Sequence, residues 1–465
     1  MVDDTPLLST ERPLTRARWW VLLVYCLLAV CQAITWNVFS PIFPATFLAM
    51  PSWSSSFLSW VINTANISFG LTLVPVSLAV KRFGPRRITL FCALMVTTCS
   101  AVRCLPLRDG PAQRALHVFS MVCNGAGGAW LNFGAPIISE LWFPSSERTL
   151  ATSVMTVSTY AGGALGFLVG PAIVGEVATH AAAQAGVRRL FYVEAAFCAV
   201  CGLMCAAYFP DRPPHAPSEA AAAKRSAAGG AVNDAPAVRG SALRPYFACK
   251  RRAAKYWVVS LAMALPLGVS QGWGSVLYET LRPLGFSEAE AAWLGFAQTM
   301  AGCAASVFVG ALLDRFAGRL KLVTTCFSAV AALSYFAFCA AAAGYLPVAG
   351  SVAFAFTVCV AGGTAFNICV PLLFELIMES TYGWGDEGTG AMLTVLANTL
   401  VQIAFLVVNA AGGEAGLWTA WATAASMGAC AIAVLLLQVE YRRLAVDRAT
   451  EVAATGCAFD RWGWY

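Results

Sequence analysis

Two segments of this chain match one another at the positions that could do chemistry. The first carries Ala126-Gly127-Gly128, Asn132, Pro136 and Glu140; the second carries Ala361-Gly362-Gly363, Asn367, Pro371 and Glu375. The offset is a constant 235 positions, from 126 to 361 and from 140 to 375. Both copies lie in apolar runs too long for an ordinary buried helix, so each is read as a membrane helix. Polar groups at that depth are costly unless they bond a neighbouring helix or line a path for a solute. A duplicated set of them points to two homologous bundles with a binding site between. At similar depth stand Trp36-Asn37 in the first span, Gln271, Trp273 and Tyr278 in the seventh, and Asn398 and Gln402 in the eleventh. Facing aromatics can stack on a flat ring or hold a cation over their faces. Amides can fix hydroxyls or a ring nitrogen. These residues, with Asn132 and Asn367, are the candidate substrate contacts. For the two repeated Asn the competing reading is a plain helix-to-helix hydrogen bond.

The charged candidates fall elsewhere. Glu140 and Glu375 stand at one end of their spans, near two tight basic turns, Lys81-Arg82-Phe83-Gly84-Pro85-Arg86-Arg87 and Asp314-Arg315-Phe316-Ala317-Gly318-Arg319. Glu140 is expected to pair with Arg82 or Arg87, and Glu375 with Arg315, as a latch that forms when the carrier closes on that side. Glu194, Glu279 and His117 are the candidate proton carriers. The chain has no Walker-type phosphate loop, no paired-His metalloprotease pattern and no zinc spacing, so neither an enzyme, a metal nor a cofactor is expected.

The elements that must position these groups follow from composition. The 465 residues are 59% hydrophobic and 12% charged, against roughly a quarter charged in soluble chains. That is an all-α membrane protein of many spans, embedded in a lipid bilayer. Twelve apolar spans separate into two sets of six. The division is a tail over 1–18, a six-helix bundle over 19–210, a linker rich in Ala, Pro and charge over 211–252, a second six-helix bundle over 253–438 and a tail over 439–465. The seventeen Cys are scattered through apolar segments and read as small buried hydrophobes. Lys and Arg crowd the loops on one side, which puts both termini in the cytosol and leaves Arg103, Arg108, Arg114, Arg188, Arg189 and Arg282 in the outer loops. The net charge of +6 therefore needs no nucleic-acid partner. In the amino-terminal tail, Asp3 stands four positions before Leu7-Leu8, the pattern of an acidic dileucine signal read by cytosolic adaptor complexes that route proteins to lysosomes.

The turn Gly310-x-x-x-Asp314-Arg315, ending at Arg319, resembles the signature loop of the major facilitator superfamily. In the first turn Lys81 stands where that loop has Asp. Trp36-Asn37-x-x-x-Pro41-Ile42, Val102-Arg103-Cys104-Leu105-Pro106, Asn132-x-x-Ala135-Pro136, Trp142-Phe143-x-x-x-Glu147-Arg148 and Tyr160-x-Gly162-Gly163 resemble solute carrier family 49 of that superfamily, across both halves. The resemblance implies the major facilitator fold and alternating access. It also implies lysosomal export of pyridoxine (vitamin B6) to the cytosol together with protons. Relatives in the family carry choline and have been linked to haem. Trp36 matches the aromatic that cages choline in those relatives, while Tyr160 and Asn398 stand where they have Gln, which argues for a different ligand. The other class of function is a non-transporting membrane receptor or scaffold.

Overall fold

The computed structural model describes residues 15–39, 42–106, 108–175, 177–218, 221–222, 250–315, 318–346, 351–382, 387–411, 416–439 and 441–446. Everything regular among them is helical. The first half holds α1 (Ala17–Trp36), α2 (Phe43–Ala49), α3 (Ser55–Arg103), α4 (Pro111–Phe133), α5 (Ala135–Trp142), α6 (Arg148–Val174) and α7 (His180–Ala207). The second holds α8 (Lys250–Ser275), α9 (Leu277–Leu281), α10 (Glu288–Arg315), α11 (Leu320–Ala342), α12 (Val352–Thr381), α13 (Glu387–Ala411) and α14 (Trp418–Leu436).

Among the described residues, ten helices are long and apolar enough to cross a membrane. Two features bring these to the expected twelve crossings. Helix α3 runs for 49 residues, about twice the 20 or so that a bilayer needs. It breaks at Gly84, where φ is 81° and ψ 164°, a backbone that glycine alone adopts cheaply. Pro85 then opens the second limb, where its missing N–H is no loss. The other addition is α4 continued by α5, with Gly134 between them in helical backbone, its N–H donating to the Trp130 carbonyl at 2.8 Å and its carbonyl accepting from Ile138 at 2.9 Å. Side-chain hydroxyls start three of the long helices: Ser54 accepts from the amide of Phe57, Thr179 from Ala182 and Ser351 from Phe354.

In the first half α3 packs on α4 and α7, and α1 on α6; in the second α11 packs on α12 and α14, and α8 on α13. Between halves, α6 lies along α10 and α12, while α13 meets α3 and α4. Large apolar side chains such as Leu71, Leu203, Phe308, Leu333 and Leu436 face outward, as they must where lipid replaces water. The end that carries the basic turns is called the basic end below.

Two sequence expectations change. The linker does not begin as free chain: Asp211 accepts from the amide of Arg86 at 2.8 Å, and buried Ser218 accepts from Arg148 Nη2 at 3.0 Å. Lys250 to Arg252 belong to α8 and not to the linker. Arg103 is not a loop residue; it ends α3 with its side chain buried. The dileucine residues Asp3, Leu7 and Leu8 lie outside the described residues.

Candidate functional site

The duplicated segment is duplicated in space. Asn132 Nδ2 donates to the Gly128 carbonyl at 3.0 Å, and Asn367 Nδ2 to the Gly363 carbonyl at 2.8 Å. Each amide is thus anchored one turn back on its own helix while staying half-buried. The glycine pairs admit close neighbours in the same way. A Cβ at Gly127 would sit 2.9 Å from Val96 of α3, and one at Gly362 would sit 3.0 Å from Tyr335 of α11. A Cβ at Gly128 would lie 2.6 Å from the Gln32 amide nitrogen, and one at Gly363 would lie 2.8 Å from Gln298 Cβ. A glutamine therefore rests on each glycine pair. Neither was singled out from sequence, because a lone Gln inside an apolar run carries no spacing signal. Gln298 is half-buried and accepts from Tyr335 at 3.3 Å.

Around these amides the two halves meet. Tyr160 is half-buried on α6, one turn past Val157, whose carbonyl accepts from Cys303 of α10 at 3.6 Å. Ser306 of α10 donates to the Asn367 carbonyl at 2.7 Å. Asn398 adjoins Thr399, whose methyl would lie 4.0 Å from a Cβ placed at Gly70 of α3 across the seam. Its Oδ1 is buried with no hydrogen-bond partner. Gln402, one turn on, and Gln271, on α8, are half-buried. Trp36 ends α1 in an edge-to-face contact with Phe69 of α3 at 5.9 Å, and Asn37 lies against Gly163 and Gly166 of α6.

Trp273 is a correction. It is 1% exposed and packs edge-on against Tyr335 at 5.5 Å and tilted against Phe338 at 6.2 Å, both on α11. Its ring fills the core of its own bundle and does not face Trp36. The side chains of Tyr278 and Glu279 lie outside the described residues.

At the basic end the seam is shut. Thr152 of α6 donates to Glu375 Oε1 of α12 at 2.6 Å, and Lys81 of α3 donates to Thr389 of α13 at 2.7 Å. Gly310 of α10 packs on Thr149 and Ser153. Lys81 thus makes a contact across the seam although the family's loop has Asp there. The expected partners of Glu140 are corrected, and Glu375 has a partner that the sequence does not offer. Arg82 and Arg87 are exposed, with Arg82 stacked over Phe83 at 5.4 Å. Glu375 bonds Arg443 of the carboxyl-terminal segment, whose Nε also holds Glu379 Oε1 at 3.1 Å and whose backbone N–H donates to Glu379 Oε2 at 3.1 Å. Burial pushes the Arg443 guanidinium down, but the charges of Glu375, Glu379 and Glu140 outweigh it and hold it above its ordinary range. The side chains of Asp314 and Arg315 lie outside the described residues.

A second buried charge cluster sits toward the opposite end, inside the first bundle. Arg103 reaches Glu194 Oε2 at 3.5 Å, donates to Ser120 at 3.1 Å and to the Thr35 carbonyl at 3.2 Å, and lies over the Phe39 ring at 5.3 Å. His117 bonds the Gln113 carbonyl through Nδ1 at 2.9 Å and is walled by Trp53, Phe39 and Phe191. Its Nε2 and Glu194 Oε1 are buried without hydrogen-bond partners. Below them Asn124 links Gln32, at 2.9 Å, to Thr35. Glu194 and His117 therefore share one polar core with an arginine that the sequence reading had placed in a loop.

Two six-helix bundles with a polar seam, closed at one end, are the architecture of a membrane transporter. The chain belongs to the Major Facilitator Superfamily, which it matches over residues 25–409. It is similar to the Solute carrier family 49 member 4 homolog of Xenopus tropicalis, 28% identical over 92% of this chain and 93% of that protein. It is also similar to the Choline/ethanolamine transporter FLVCR2 of Homo sapiens, 25% identical over 44% of this chain and 39% of that one. Among solved structures, the proton:xylose symporter XylE bound to 6-bromo-6-deoxy-D-glucose matches with a TM-score of 0.69 at 14% identity, over 92% of this chain and 99% of that one. That last likeness speaks to the fold.

Proposed function

We propose that this protein is a proton-coupled secondary transporter that exports a small organic solute, pyridoxine, from the lysosome to the cytosol by alternating access. The observation that carries the reading is the seam itself. It is bonded across the halves at the basic end by Thr152–Glu375 and Lys81–Thr389; half-buried Tyr160 and Asn367 stand farther along α6 and α12, and half-buried Asn132 stands on α4. A scaffold has no use for such a costly set of groups. Trp36, Asn37, Asn132, Tyr160, Gln271, Asn367, Asn398 and Gln402 are the proposed substrate contacts. A flat hydroxylated pyridine suits one aromatic wall and several amides. The full-length likeness to the family 49 member 4 homolog supports the assignment within the superfamily. Proton coupling draws on the symport named for XylE, with Glu194, Glu279 and His117 as candidates on this chain. Both termini face the cytosol in this reading, where Asp3, Leu7 and Leu8 meet adaptor complexes.

The test is uptake of labelled pyridoxine by cells in which Leu7→Ala and Leu8→Ala send the carrier to the plasma membrane. Uptake should rise as the outside is acidified; no acid-stimulated flux would contradict the substrate. The second reading is choline or ethanolamine, favoured by the partial likeness to FLVCR2. Competition between unlabelled choline and pyridoxine separates the two.

A further inference from the structure

We infer that Arg443, from the segment that follows α14, is a positioning residue for transport: it holds Glu375 toward Thr152 and so keeps the basic-end gate shut. The inference rests on the alternating-access reading above. Its ground is the placement of one guanidinium. Arg443 is 2% exposed, although it belongs to a polar tail. Tyr441, two residues earlier, accepts from the Lys321 amide at 3.0 Å and pins the segment to the start of α11. From there Arg443 enters between Glu375 and Glu379, one turn apart on α12, while Glu140 of the other half acts on it through charge.

The geometry divides the labour on Glu375. Oε2 is taken by Arg443 within the second half, and Oε1 by Thr152 across the seam. A carboxylate buried without its counter-ion is strongly destabilised. With Arg443 gone, Glu375 and Glu379 would turn toward water, and Glu375 would let go of Thr152. The bond to Thr152 is then the part that breaks at each cycle, and Arg443 the part that stays. A guanidinium suits the role because it can serve two carboxylates from one rigid fork, which a lysine cannot.

The test uses the purified full-length protein, with amide hydrogen exchange over residues 148–153 and 376–381 as the readout of the gate. Arg443→Ala should raise exchange in both segments by at least about fivefold and cut turnover by about tenfold while substrate affinity stays within about twofold, the scale of one coupling free energy. Arg443→Lys should lie between, with charge restored and the fork missing. Exchange and turnover within about twofold of the unaltered protein in Arg443→Ala would overturn the inference. So would an equal loss of affinity and turnover. If Arg443→Ala does not accumulate as folded protein, Arg443→Lys decides: raised exchange at an unchanged melting temperature supports the role, and unaltered exchange ends it. The exchange readout needs no substrate. Absent pyridoxine flux in the unaltered protein would therefore remove the proposed substrate without touching this result.

Discussion

The two buried arginines do opposite jobs. Arg103 closes a cluster inside one bundle: Glu194, Ser120 and Thr35 all belong to the first half. Arg443 closes a cluster that reaches across the seam, through Glu375 to Thr152 and by charge to Glu140. If the bundles move as bodies, the first cluster keeps its partners through the transport cycle and the second cannot. The same kind of pair thus braces one bundle in the first place and, in the second, supports a contact that crosses the seam. A buried ion pair is weak evidence for stability but a strong liability once one partner is removed, so the two sites should fail differently.

The largest effect is expected at the brace. Arg103→Ala leaves Glu194 buried and unpaired, and stability should fall by about 3–5 kcal/mol, read as a thermal melt of the detergent-purified protein. Arg103→Met with Glu194→Leu should recover most of that loss. A melt unchanged by Arg103→Ala would erase the contrast. Next comes the latch. Glu375→Gln should slow turnover about tenfold with affinity kept within about twofold, measured as flux and equilibrium binding on one preparation. Thr152→Val removes a single hydrogen bond worth about 1 kcal/mol, for a turnover change of about fivefold. Smallest is Lys81→Met, at an exposed residue, where the change in flux should stay within about twofold. A reversal of that order, with Lys81 dominating, would move the latch from α12 to the α3–α13 contact.

A second comparison runs between the repeats. The first copy has Gly134 two residues after Asn132, in helical backbone at φ −79° and ψ −20°; the second has Cys369 there, and α12 runs on through Pro371. One duplicated motif thus carries helical backbone up to and past its Pro on both sides of the seam.

The repeat, the two bundles and the two Asn were legible in the sequence because depth along a membrane helix is counted in residues. Rotation about the helix was not. Trp273 has the depth expected of a partner for Trp36, but helices apolar on every face give no stripe to mark which side turns inward, and the ring points into its own core. The arginines were missed for a different reason. Arg103 and Glu194 are 91 positions apart, and Arg443 and Glu375 are 68 apart. A basic residue beside a span end reads as loop until its partner is seen. For Glu375 the sequence offers Arg315 of the neighbouring turn, whose side chain lies outside the described residues; the partner seen, Arg443, comes from beyond α14.

The account stands on the seam at the basic end being a gate between two moving bodies. The direct measurement is a pair of distances by pulsed dipolar spectroscopy, with labels carried on non-natural amino acids because the chain has seventeen cysteines. One pair spans the halves, at exposed Ser146 and Arg319; the control pair lies within the first half, at exposed Ser146 and Arg86. The account predicts that pyridoxine at acidic pH lengthens the first distance by several ångströms and leaves the second unchanged. A first distance that stays fixed under every condition in which flux occurs would contradict it.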